Sequence, residues 1–122
     1  MLVNLKRLLK SFYFAQRGLR YTIKNEQNFR IQIFIGILVV IAIFFFKVEV
    51  WQAIVLLLLI ILVLVLELIN TIFEKIVDIL KPRIHFYVEI IKDIMAAAVL
   101  IASIGAVFIA FLIFIPYLVA LF

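Results

Sequence analysis

Three long apolar stretches constrain the fold of this chain more strongly than any other feature of its sequence. They cover residues 31–46, 53–66 and 94–122. An α-helix rises about 1.5 Å per residue, so about twenty apolar residues cross the hydrocarbon core of a bilayer. The first stretch is short, but Arg30 and Lys47 flank it and their side chains can extend to the two interfaces. The sequence therefore predicts three membrane-spanning helices.

The composition supports this prediction and excludes several other classes of site. Hydrophobic residues make up 70% of the 122-residue chain, whereas a soluble protein of this size needs a more polar surface. There is no Cys, which excludes a disulfide, a thiolate nucleophile and a thiolate metal site. The three Gly are widely separated, which excludes a Gly-rich phosphate-binding loop.

The expected architecture is an all-α integral membrane protein with an N-terminal amphipathic surface helix and three transmembrane helices. One domain covers residues 1–122, with the surface helix at about 4–24 and the transmembrane helices at about 30–47, 51–80 and 90–116. Proline interrupts helical hydrogen bonding, so we expect Pro82 to end or redirect the second span. We expect Pro116 to break or kink the third.

The basic residues predict the orientation of these helices. Seven of the twelve Lys and Arg lie in the first thirty residues, and no residue after Asp93 is charged. The positive-inside rule places the N-terminus and the connection after the second span in the cytoplasm, and the C-terminus outside. The net charge of +5 therefore favours anionic lipid, and not nucleic acid, as its partner.

The surface helix has two aromatic residues on an unexpected side. Leu and Phe side chains share one face of residues 4–24 and the cations share the other, which is typical of a helix lying in the membrane interface. Phe14 and Tyr21, however, project from the basic side. They either settle among lipid headgroups or form a surface that a ligand such as a nucleotide covers.

The segment "ELINTIFEKIVD", residues 67–78, places a polar stripe on the second span. On a helix Glu67, Glu74 and Asp78 lie within about 40° of one another, flanked by Asn70 and Thr71. A carboxylate at membrane depth is costly, so it usually faces a protein interior, a cavity or a cation. Carboxylate and amide oxygens are hard ligands that suit Mg²⁺.

Two further polar clusters are predicted at the same cytoplasmic level: Glu26 in "NEQNFR" and the pair Lys92–Asp93 in "IIKDIMAAAVL". Together with the stripe they supply acids for a divalent cation and a Lys for a phosphate, next to lipid.

Each of these residues also has an ordinary structural explanation. Glu67 could be a neutral packing group or could pair with a Lys on another span. Glu26 is four residues before Arg30 and could form a helix ion pair with it. Lys92–Asp93 could anchor a helix at the interface, and His85 could be a solvated loop residue.

The segments "GLRYTIKNEQNFRIQ", "ELINTIFEKIVD" and "KDIMAAAVL" together resemble the prokaryotic diacylglycerol kinase family, which includes undecaprenol kinases. The resemblance covers nearly the whole chain, in the same order and with similar spacing. It implies a homotrimer in the bacterial inner membrane, with sites shared between protomers. It also implies direct transfer of phosphate from MgATP to a lipid hydroxyl, without a phosphoenzyme.

The same resemblance implies a role for each candidate residue. Glu67 matches the general base that takes the proton of the lipid hydroxyl, and Asn70 matches an amide beside that base. Glu26 and Glu74 match the carboxylates that hold Mg²⁺ on the ATP phosphates. The other nucleotide-binding positions are matched by Arg7, Phe14, His85, Lys92 and Asp93.

Two segments depart from the family pattern. Met95 and Ala97 stand in a segment where relatives commonly have Gly or another small residue, and Phe86 and Glu89 replace the His-Pro and basic residue of many undecaprenol kinases.

The motif wording favours undecaprenol as substrate, with diacylglycerol as the alternative. A membrane scaffold or transporter subunit would instead place polar residues near the bilayer midplane.

Overall fold

The computed structural model describes residues 2–80 and 85–122, apart from the side chain of His85, and these residues form four helices. Pro82, expected to end or redirect the second span, lies outside the described residues, as does the His85 side chain. The helices are α1 (Leu5–Asn25), α2 (Gln27–Phe46), α3 (Val50–Leu80) and α4 (His85–Leu121). Helices α2, α3 and α4 are long and apolar enough to cross a membrane. The prediction of a surface helix and three transmembrane helices is therefore confirmed.

Helix α1 is amphipathic and almost entirely exposed, with Thr22 as its buried residue. The Asn4 side chain caps its start by accepting hydrogen bonds from the backbone N–H groups of Lys6 and Arg7, at 3.1 and 3.3 Å. At its other end the chain becomes extended at Glu26 and enters α2 at Gln27. A single residue, Glu26, therefore joins the surface helix to the first span.

Arg30 fixes the angle at this junction. Its guanidinium donates to the carbonyl oxygens of Ile23 and Lys24 at 2.8 and 2.9 Å, which are among the unpaired carbonyls at the end of α1. Arg30, in the first turns of α2, thus caps the C-terminal end of α1 with its side chain. Within the described residues it forms no salt bridge with Glu26, although the spacing allows one.

Helix α3 packs against both α2 and α4. We call the end of this three-helix bundle that contains the α2–α3 turn the turn end, and the end that contains Glu26 the junction end. The core at the turn end is centred on the buried side chains of Ile43, Leu56 and Ile113. Most other large apolar side chains are exposed on the isolated chain, as expected for surfaces that face lipid.

Aromatic and polar contacts close the turn end. The Phe46 ring packs against Phe114 and Tyr117, with centroids 5.8 and 6.2 Å apart, and the Tyr117 hydroxyl donates to Gln52 Oε1. Helix α4 continues through Pro116 to Leu121, so of the two expected effects, a break or a kink, the break is wrong and the kink stays a prediction. Near a helix end proline removes one backbone hydrogen bond and leaves only a short segment to be held.

Candidate active site

Glu67 is the centre of the polar cluster at the junction end. It lies in the middle of α3 and is 1% exposed, as is Leu56 in the apolar core. Glu26 and Glu74 are close enough to interact with it electrostatically, and the Gln32 amide of α2 hydrogen-bonds to its side chain. No Lys or Arg within the described residues forms a salt bridge with Glu67. The possibility that Glu67 pairs with a Lys on another span is therefore not what the structure shows.

The backbone and side chains around Glu67 are tied along α3. The Thr71 hydroxyl donates to the Glu67 carbonyl oxygen at 3.0 Å and is itself buried. Asn70 donates from its amide nitrogen to Glu74 Oε1 at 3.2 Å. Asn70 therefore holds the carboxylate of Glu74, one turn along the helix, although the family resemblance assigns it beside the base.

Glu26 and Glu74 are both partly exposed and approach Glu67 from different elements. Glu26 comes from the junction between α1 and α2, whereas Glu74 comes from the last turns of α3. No group of three His, Asp or Glu side chains among the described residues lies close enough to enclose a metal ion. Among the described residues these acids therefore do not form a metal site by themselves.

Lys92 connects α4 to the acidic stripe. Its Nζ lies 2.9 Å from Asp78 Oδ1, and Glu74 and Glu89 are near enough to interact with its charge. Lys92 is partly exposed and Asp93, the next residue, is exposed. The structure thus pairs Asp78, the last acid of the polar stripe, with the Lys that is predicted to bind a phosphate.

A groove of about 890 Å³ separates α1 from the junction-end half of α3. Phe14 and Tyr21, the two aromatic residues on the basic side of α1, both line it. Lys75 of α3 lies across the groove, with its Nζ 5.7 Å from the centroid of the Tyr21 ring. Arg17, Thr22 and Thr71 also line the walls. The rest of the wall is apolar, so the groove presents aromatic faces, cations and hydroxyl groups within a mainly apolar surface.

Among the predicted site residues that the structure describes, Arg7 lies farthest along α1 from Glu26. It lies in the first turn of α1, nineteen residues before Glu26, which corresponds to about 28 Å along the helix. The position of the His85 side chain, predicted to border the nucleotide, lies outside the described part of the chain.

Gln32 is the member of the cluster that sequence reasoning missed. It is an amide within an apolar span, and it follows the buried Phe29 by three residues and precedes the buried Gly36 by four. Those spacings put Gln32 on the buried face of α2. A polar residue on that face was the available signal.

The family model described as prokaryotic diacylglycerol kinase matches residues 13–114 of the chain. The chain belongs to the prokaryotic diacylglycerol kinase family. The resemblance in the sequence is thereby confirmed, and the family names identify the chain as an ATP-dependent lipid kinase.

Two relatives match this family member over most of its length. A diacylglycerol kinase of Synechocystis is 38% identical over 115 residues, which cover 93% of this chain and 66% of the relative. An undecaprenol kinase of Bacillus subtilis is 33% identical over 115 residues, which cover 94% of each chain. The chain thus spans slightly less than two thirds of the first relative and nearly all of the second.

Proposed function

We propose that this kinase transfers the γ-phosphate of MgATP directly to the hydroxyl of a membrane lipid alcohol, with undecaprenol as the physiological acceptor. The observation that carries the proposal is the burial of the Glu67 carboxylate inside a spanning helix, beside two further carboxylates. A buried acid in a membrane protein is costly and usually serves a functional site.

Glu67 acts as the general base in this proposal. Its carboxylate is shielded from water and has no Lys or Arg salt-bridge partner among the described residues, so it is available to accept the proton of an alcohol. The Gln32 amide and the Thr71 hydroxyl restrict its position from the side chain and the backbone respectively. Such restriction favours a productive contact with the reacting hydroxyl.

Glu26 and Glu74 fit Mg²⁺ in the way that phosphoryl-transfer enzymes usually hold it. Mg²⁺ is commonly bound by one or two protein carboxylates together with substrate phosphates, and a cage made entirely of protein is unusual. Two partly exposed acids without a third match that arrangement. The ion would neutralise phosphate charge, while Asn70 keeps the Glu74 carboxylate in place.

The groove between α1 and α3 is the proposed nucleotide site. The Phe14 and Tyr21 rings offer faces for the adenine, and Lys75 and Lys92 offer cations for phosphates that extend towards Glu74. Phosphoryl transfer depends mainly on in-line positioning and on neutralising phosphate charge, and these side chains supply both.

Arg7 lies seven residues before Phe14 on the same face of α1, about 10 Å along the helix, so it can border the nucleotide at the Phe14 end of the groove. Its distance from Glu26, about 28 Å along α1, keeps it away from the acidic cluster. On the family resemblance we also propose a homotrimer with sites shared between protomers. We further propose a bacterial inner-membrane location with the N-terminus and the groove in the cytoplasm, where ATP is available.

The choice of undecaprenol as acceptor rests on the residues of the sequence motifs and on how much of each relative aligns with this chain. The relative named undecaprenol kinase aligns with this chain over 94% of both proteins, whereas the relative named diacylglycerol kinase is substantially longer than the matched region. Diacylglycerol remains the second candidate because that relative has the higher identity, 38% against 33%.

The test is a competition assay with purified protein in lipid, labelled ATP and Mg²⁺, and both alcohols present. We expect the label on undecaprenol in clear excess over diacylglycerol. Label mainly on diacylglycerol would overturn the choice of substrate. Label on neither alcohol, in an assay where a related kinase works, would overturn the proposed reaction.

A further inference from the structure

A second cavity lies among α2, α3 and α4 and is open on one side. It has a volume of about 120 Å³ and mostly apolar walls. Three small residues line it, one on α2 and two on α4: Gly36, Ala106 and Ala110. Gly36 also keeps α2 close to α3, because a Cβ there would lie 3.1 Å from Ile60 Cγ2. The cavity is therefore a consequence of close helix packing around small side chains.

Two polar atoms in the cavity wall have no hydrogen-bond partner among the described residues. They are Gln32 Oε1 and Ser103 Oγ, and both atoms are inaccessible to solvent. An unpaired polar atom inside a membrane protein is costly, because no bulk water is present to satisfy it. A hydroxyl group in the cavity would satisfy both atoms once the Gln32 and Ser103 side chains turn towards it, since a hydroxyl can donate to one and accept from the other.

These atoms lie at the same depth as Glu67. The ion pair between Lys92 and Asp78 sets the register between the antiparallel α3 and α4. Glu67 lies eleven residues from Asp78 along α3, and Ser103 lies eleven residues from Lys92 along α4, which is about 16 Å for each. Gln32 of α2 joins this level through its hydrogen bond to Glu67. Each spanning helix thus contributes one polar residue to a single layer.

The cavity starts at this layer and extends away from the junction end. Val63 and Leu64, about one turn beyond Glu67 on α3, line it, and so does Val39 on α2. Glu67 itself does not line the cavity, and Gln32, which lies beside Glu67, forms the cavity wall at this level. The other end of the cavity points further into the membrane.

We propose that this cavity is the acceptor-alcohol site, with the substrate hydroxyl between Ser103 and Gln32 and the first carbons of its chain against the apolar wall. This inference rests on the proposed kinase reaction. The Ser103 hydroxyl donates to the substrate oxygen, and the substrate hydroxyl donates to Gln32 Oε1 before it turns to Glu67. Its proton then passes to Glu67 as the oxygen bonds to the γ-phosphorus, and the bond from that phosphorus to the ADP oxygen breaks.

The size of the cavity makes it a determinant of substrate specificity. An apolar cavity of about 150 Å³ can hold benzene, so about 120 Å³ accommodates roughly five carbon atoms. That is the size of the first unit of a single-chain prenyl alcohol. The glycerol portion of diacylglycerol carries one ester on the carbon next to its hydroxyl-bearing carbon and a second ester one carbon further, so it needs a wider space at the same depth. The cavity therefore favours a single-chain alcohol.

The kinetic test compares two cavity variants with a matched control. Ala106→Leu fills the cavity, Ser103→Ala removes the hydroxyl donor, and Ala120→Leu makes the same enlargement at an exposed position of α4. We expect Ser103→Ala to raise the KM for a prenyl alcohol roughly threefold to tenfold, as loss of one hydrogen bond implies. Ala106→Leu should raise it at least as much, while the KM for ATP stays unchanged in all three variants.

Ser103→Thr, which keeps the hydroxyl, should retain more of the wild-type affinity for the alcohol than Ser103→Ala. An unchanged KM for the alcohol in both Ser103→Ala and Ala106→Leu would overturn the inference and identify water as the occupant of the cavity. The proposed kinase reaction would stand in that case, because the wild-type chain would still phosphorylate the alcohol.

A binding test does not depend on turnover. A prenyl alcohol with a diazirine on its first unit should cross-link to the cavity wall, within residues 103–110, in the wild-type chain and in Ala120→Leu. The cross-link should be lost in Ala106→Leu. Cross-linking elsewhere, with wild-type turnover intact, would overturn the site alone, whereas a wild-type chain that phosphorylates no lipid alcohol would overturn the reaction as well.

Discussion

The polar side chains at the two ends of the three-helix bundle have different kinds of partners. At the turn end, Tyr117 donates to Gln52 across α3 and α4, and Trp51 donates to Glu49 at 2.6 Å. At the junction end, three carboxylates lie close together around Glu67. The polar groups of the turn end form neutral or single-acid hydrogen bonds within the chain. At the junction end Glu74 and Asp78 also have partners, but the carboxylates of Glu26, Glu67 and Glu74 lie near enough to repel one another.

This difference separates a region that stabilises the fold from a region suited to bind ligands. The turn end also contains the buried core of Ile43, Leu56 and Ile113, which packs within one chain. The junction end contains a groove, a cavity wall with unpaired polar atoms and clustered acids. Clustered like charges raise the free energy of the folded chain unless a cation or a ligand compensates them.

Replacing Glu67 by Gln gives the largest expected effect. The amide has the same shape but cannot accept the proton, so kcat for lipid phosphorylation should fall by about 10²–10⁴, the usual contribution of a general base. ATP binding, measured by calorimetry, should persist. Glu49→Gln at the turn end is the matched control and should retain wild-type kcat. Wild-type turnover in Glu67→Gln would remove Glu67 as the base.

Replacing Glu74 by Ala should weaken nucleotide binding in a manner that depends on Mg²⁺. We expect the affinity for ATP in the presence of Mg²⁺ to fall on the order of tenfold to a hundredfold, as is typical when a metal site is disturbed. Without Mg²⁺ the variant and the wild type should bind ATP alike. Equal losses with and without Mg²⁺ would show that Glu74 does not act through the ion.

Variants of Lys92 and Asp78 test whether nucleotide binding depends on the positive charge of Lys92 or on its ion pair with Asp78. Lys92→Met removes the cation, whereas Asp78→Asn breaks the same ion pair and keeps the cation. If Lys92 binds phosphate, its variant should raise the KM for ATP several-fold and Asp78→Asn should raise it much less. Equal increases in the two variants would assign Lys92 a structural role.

Tyr117→Phe at the turn end has the smallest expected effect. Loss of its hydrogen bond to Gln52 should lower the free energy of unfolding in mixed micelles by about 0.6 kcal/mol, the mean for hydrogen bonds between membrane helices. Lipid kinase activity per folded molecule should not change. A marked loss of activity at wild-type stability would show that the two ends are not separate in function.

The fold was predictable because each of its elements is specified locally. The lengths of the apolar stretches and the density of cations before Ile31 predict a surface helix followed by three spans. Helix ends were less predictable, since Pro116 is accommodated inside α4. Sequence periodicity also placed Glu67, Glu74 and Asp78 on one face, because that placement depends only on the helical repeat.

The partners of those residues depended on the rotation and register of whole helices. Lys92 pairs with Asp78, Asn70 bonds to Glu74, and Gln32 reaches Glu67 from another helix. The close contact of Gly36 with Ile60 contributes to that register, and no local pattern reports it.

By itself, the sequence determined that this protein crosses the membrane three times and carries acids on one face of its second span. Hydrophobic length and helical periodicity, both properties of short segments, are sufficient for that. Only the tertiary structure decided that Glu67 lies beside Glu26, Glu74 and Gln32, and that a cavity begins at the same depth. Contacts between helices set these positions, because small side chains determine how closely and at which register the helices pack.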